Sequence, residues 1–103
     1  MSKILHEADN VTIKGHTYDS VMCSTEWGDT ILKAIHIDCS ILINGKLKTI
    51  WWSFAIQKED GIYQLDREVD RGQWNMFYSM LYQLWYKIES PEVIQEWINK
   101  IME

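Results

Sequence analysis

His36, Asp38 and Cys39 place an imidazole, a carboxylate and a thiol within one short run, His-Ile-Asp-Cys. All three are competent metal ligands, and a His beside a Cys is the pairing that activates a nucleophilic thiolate. Spacing decides against convergence. If this run is a strand, His36 and Asp38 share one face and Cys39 points to the other. What remains is a two-residue polar pair, the ordinary cross-strand chemistry of a sheet.

His6 and His16 stand among Glu7, Asp9, Tyr18 and Asp19, which are suitable ligand types without a recognised ligand spacing. There is no Gly-rich phosphate loop, no Ser-centred elbow and no Cys-x-x-Cys pair. The expectation is therefore a protein that is not an enzyme, with no catalytic residues, no metal and no cofactor. Cys23 and Cys39 read as small buried hydrophobes in a reducing compartment.

The elements that would position these residues follow from turns and periodicity. Asn44-Gly45 between two apolar runs predicts a two-residue hairpin turn, since both positions then take positive φ. That turn fixes a register. Ile35 faces Phe54, Ile37 faces Trp52, Cys39 faces Ile50 and Ile41 faces Lys48 on the core side. Leu32, Ala34, His36, Asp38, Ser40 and Leu42 face Gln57, Ala55, Ser53, Trp51, Thr49 and Leu47 on the other. Trp52 thus points inward and its neighbour Trp51 outward. Upstream, Val11 to Thr25 predicts a further hairpin or two short strands, with turns at Lys14-Gly15 and at Glu26-Trp27-Gly28-Asp29. Ile62 to Leu65, after a turn at Glu59-Asp60-Gly61, suit either a further short strand or the lead into the helix.

From about Asp70 the period becomes helical. Trp74, Phe77, Tyr78, Leu81, Leu84, Trp85 and Ile88 recur at i, i+3 and i+4, the stripe of a core-facing helix. A helix over 70–89 and a second over 91–102 are expected. Ser90-Pro91-Glu92 supplies the cap and first turn of the second, and Ile94, Trp97, Ile98 and Ile101 form its buried stripe. The fold class is α+β: an antiparallel sheet of three to five strands, built round the Asn44-Gly45 hairpin and packed by two C-terminal helices. Residues 1–103 form a single domain, with 1–65 mainly β. The length of 103 residues and the 47% hydrophobic content suit one core.

Ten basic and fifteen acidic residues leave a net charge of -5, which argues against nucleic acid as a direct ligand, because phosphate contacts draw on clustered Lys and Arg. The first residues lack the apolar run of a signal peptide and no segment is apolar enough to span a bilayer. The expectation is no membrane contact and a cytoplasmic location.

Residues 73–87, QWNMFYSMLYQLWYK, carry two Trp, three Tyr and a Phe and no charge before Lys87. Once the core stripe is assigned, Met76, Met80, Tyr82 and Tyr86 remain on the arc where a solvated helix carries Lys and Glu. Charge-poor surfaces rich in Tyr and Met are typical of protein interfaces, and a central helix covered on both sides by the N-terminal strands or the last helix would equally need no charge. Glu59, Asp60, Asp66 and Glu68 form an acidic stretch that would complement a basic partner. With Trp51, these residues are the expected contacts of a small acidic protein-binding module. Such a module would act as an inhibitor or adaptor by masking a partner's surface, or would assemble as a homodimer. Small motif-free proteins of this type occur among phage and mobile-element products that block host machinery. The alternatives are a small-ligand domain, with nucleotide or cation held in an aromatic pocket between sheet and helices, and a metal-dependent hydrolase using His36 with Asp38 or the N-terminal His6 and His16.

Overall fold

The computed structural model describes residues 2–24, 28–65, 71–84, 86–88 and 92–103, and of 21–24, 28–31 and 71–72 the backbone alone. Five strands run in chain order across one antiparallel sheet: β1 (Lys3–Ala8), β2 (Val11–Ser24), β3 (Gly28–Ile43), β4 (Lys46–Glu59) and β5 (Ile62–Leu65). Two helices follow, α1 (Arg71–Gln83) and α2 (Val93–Met102). The architecture is the α+β fold that turns and periodicity predict.

The central hairpin forms as its turn requires. Asn44 and Gly45 have φ of 51° and 77°, and the β3–β4 ladder pairs Ile35 with Phe54, Ile37 with Trp52, Cys39 with Ile50 and Ile41 with Lys48. Asp60 and Gly61 repeat this geometry between β4 and β5, with φ of 53° and 80°.

Three local expectations need correction. Gly15 is no turn. It pairs with Ile37 inside a continuous β2, and a side chain there would collide with Ile101, since a Cβ would stand 2.6 Å from its Cδ1. The turn that starts β2 is at Asp9-Asn10 instead. The second expected turn also shifts. Gly28 already pairs with Ser24, so Gly28 and Asp29 belong to β3, while Glu26 and Trp27 lie outside the described residues. Lastly, α1 ends at Gln83, not near residue 89. The Leu81 carbonyl accepts from both the Leu84 and Tyr86 amides, at 3.0 and 3.1 Å, which closes the helix in a tightened last turn. The chain then folds back, so that Ile88 is buried and its carbonyl accepts from the Tyr78 hydroxyl. Trp85, Ser90 and Pro91 lie outside the described residues. α2 begins at Val93, with Glu92 at the N-cap position and no side-chain cap.

The inner face of the sheet and the helices share one core. Ile13, Ile35, Ile37, Cys39, Ile41 and Phe54 meet Phe77, Leu81 and Ile98, all fully buried. Phe54, Trp74 and Phe77 pack edge-on or tilted with centroids 5.7 to 5.9 Å apart, and Trp74 meets Trp97 of α2 at 6.1 Å. Burial of each such side chain is worth about 1.5–3 kcal/mol. α2 reaches both outermost strands because the sheet curls round it: Gln95 Nε2 donates to the Tyr63 carbonyl of β5, and Lys3 Nζ of β1 donates to the carbonyls of Lys100 and Glu103. At the far end β2 and β3 outrun their neighbours. The pairs from Ser20–Leu32 to Ser24–Gly28 belong to no other ladder among the described residues.

Candidate interaction surface

The outer face of the sheet carries the polar residues that spacing singled out. His36 Nε2 donates to Asp38 Oδ1 at 3.1 Å, and its Nδ1 shares a hydrogen bond with Ser53 Oγ at 2.9 Å. The ring lies between His16 and Trp51, with centroids 5.2 and 5.4 Å away. Asp38 thereby fixes the imidazole's orientation, and in the neutral ring Nδ1 accepts from the Ser53 hydroxyl. Cys39 lies on the opposite face, fully buried, and burial pushes its thiol up to about 11. The His-Asp-Cys run does not converge. Among the described residues no group of three or more His, Cys, Asp or Glu side chains is placed to hold a metal ion, and no helix is long and apolar enough to cross a membrane.

A second feature lies on the flank where β4 meets α1. A two-residue turn makes Ile43 and Lys46 a hydrogen-bonded pair, so even-numbered residues of β4 direct their backbone groups toward β3 and odd-numbered ones away. Gln57 and Glu59, both odd, use theirs on β5. The odd-numbered residues before them, Leu47, Thr49, Trp51, Ser53 and Ala55, point to a side where no described strand pairs with them, because β5 spans only Ile62–Leu65. Along this open edge runs a groove of about 480 Å³, lined by Thr49, Ile50, Trp51, Trp52, Ser53 and Met80. It adjoins a second concavity of about 360 Å³ on α1, lined by Asn75, Met76, Ser79 and Met80. Trp52 Nε1 donates to Gln73 Oε1 and ties the start of α1 to this strand.

Of the contacts expected from the sequence, the structure brings Trp51, Met80 and Met76 to this flank. Trp51 is 61% and Met76 54% exposed, whereas Met80 is half-buried between them. Tyr82 is also largely exposed, farther round the same helix. Tyr86 is misplaced in the helical reading. It lies beyond the end of α1, packs partly against the core and meets the His6 ring at 5.7 Å. Glu59 and Asp60 are exposed at the β4–β5 turn, where Glu59 Oε2 accepts from Gln64 Nε2. Asp66 and Glu68 lie outside the described residues. Helical periodicity could not reveal the part played by Thr49, Ile50 and Ser53. The signal was the length of β4 against the short run available to β5.

The fold and this flank define the chain as an α+β domain with, beside a helix, a sheet edge that is uncharged from Thr49 to Ala55 and unpaired among the described residues. No protein family, no curated protein and no solved structure matches it.

Proposed function

We propose that this chain is a small acidic protein-binding module that works by occupying a partner's surface, as an inhibitor or adaptor, and performs no chemistry of its own. The supporting observation is the exposed Met76 beside Met80 and Tyr82 on a helix that carries no charged residue from Gln73 to Gln83. An ordinary solvated helix face places Lys and Glu there. Adaptable Met with Tyr, free of charge, is the composition of a contact surface. Glu59 and Asp60, with Asp66 and Glu68 following in the sequence, add an acidic contribution that would steer a basic partner surface toward the module. The genre of phage and mobile-element proteins that block host machinery fits such a design.

The test is affinity purification from the native host, with mass spectrometry, using the parent chain and Met76→Lys. The variant should melt like the parent, because Met76 is over half exposed, and should lose the partner that the parent retains. A folded Met76→Lys chain that captures the same partner undiminished would overturn the reading.

A further inference from the structure

We propose that the open edge of β4 pairs with the same edge of a second copy, joining two sheets into one through an antiparallel strand pair centred on Trp51. The inference rests on reading the β4–α1 flank as an interaction surface, and it names the occupant of the edge. An unpaired strand edge is a template for another strand, and proteins that keep such edges single guard them with charge, proline, bulges or brevity. The other described edges are short or carry such devices: β5 has four residues and its Tyr63 carbonyl accepts from Gln95 Nε2, and β3 beyond β4 bears Asp29. β1 is short and carries a bulge between Ile4 and His6. The edge of β2 beyond β1 bears Asp19, its side chain 67% exposed and 3.6 Å from Lys33. β4 has no such device from Thr49 to Gln57, a stretch without charge or proline.

The occupant follows from symmetry and charge. A two-fold axis at Trp51 sets Leu47 opposite Ala55, Thr49 opposite Ser53 and Trp51 opposite its own mate. These are the residues whose backbone groups point outward, so each facing pair exchanges both of its hydrogen bonds. Lys48 then falls opposite Phe54, not opposite another Lys. Chains of net charge -5 repel one another, and the contact least opposed by that repulsion is one between strips without acidic residues; from Leu47 to Ala55 the edge carries Lys48 as its single charge. The exposed Trp51 is covered by its counterpart, an aromatic cross-strand pair. Both copies keep their helices on the same side of the joined sheet. The strand pair itself uses no residue of α1, so Met76 and Tyr82 make none of its hydrogen bonds. The dimer is isologous, as most closed homodimers are.

The full chain would be examined by sedimentation equilibrium over a range of concentrations, together with Thr49→Pro, Trp51→Lys and Trp51→Glu. The parent should be dimeric. Thr49→Pro removes an outward N–H and leaves the β3 ladder untouched, and Trp51→Lys sets like charges face to face; each should be monomeric, with folding checked by circular dichroism. Mixing Trp51→Lys with Trp51→Glu should restore the dimer, because only this register puts position 51 opposite itself. A monomeric parent overturns the inference, as does a dimer that survives both Thr49→Pro and Trp51→Lys, or folded, monomeric Trp51 variants that fail to associate when mixed. A monomeric parent that still loses its host partner through Met76→Lys leaves the proposed function standing. A dimer whose Met76→Lys variant keeps that partner leaves the edge pairing standing and removes the proposed function.

Discussion

Gly15 of β2 and Ile101 of α2 touch so closely that a Cβ on the glycine would lie 2.6 Å from the isoleucine Cδ1 and 2.9 Å from Leu5 Cδ1. The contact seats the last helix on the sheet at the strand pair that carries β1. Gly15→Val should therefore lower stability by about 1–3 kcal/mol, the usual cost of inserting atoms into a filled core. Chemical denaturation measures it. An unchanged midpoint would mean that the Ile101 and Leu5 side-chain ends move aside without cost.

Burial raises the Cys39 thiol from 9.0 to about 11. In a Cys23→Ser background, Cys39 should resist alkylation at pH 9.0 in native buffer and react freely in denaturant. The same shift links folding to pH. The folded state holds the thiol proton more tightly than the unfolded chain, so this contribution to stability is complete below pH 9.0 and is lost as pH rises toward 11. Rapid native alkylation at pH 9.0 would contradict the burial.

Ser53, His36 and Asp38 form a hydrogen-bonded relay like that of a hydrolase, yet the relay alone is not a catalytic site. Acyl transfer also needs donors aimed at the developing oxyanion. On a strand, the Ser53 N–H lies in the plane of the sheet while its hydroxyl stands off the face, so the two do not converge on one carbonyl. A fluorophosphonate should leave Ser53 unmodified by intact-mass measurement. Modification abolished by His36→Ala would establish a nucleophile and end the non-enzymatic reading.

Much of the fold was legible because local rules and tertiary packing agree. Asn44-Gly45 determines the β3–β4 pairing, and the stripe Ile94, Trp97, Ile98 and Ile101 is the buried face of α2. β1 was not legible. Lys3–Ala8 lacks a run of strand-forming residues, and its bulge breaks the alternation that would mark it. Gly15 misled because glycine marks both turns and sites of close approach, and only the position of Ile101 separates the two. Tyr86 fell on the wrong surface because helical spacing continues past Gln83 although the backbone does not. Trp51 and Met76 were visible as exposed residues, whereas the edge beside them depends on which strands pair and for how far.

The paired run of β2 and β3 beyond its neighbours gives the molecule its long dimension, in extents of 49 × 27 × 25 Å. Its distal pairs are held by one ladder with no described flanking strand, and a lone two-stranded ribbon is marginal in water. Opening therefore starts at that end and proceeds toward the helices, so protection from hydrogen exchange should climb steadily along the long axis.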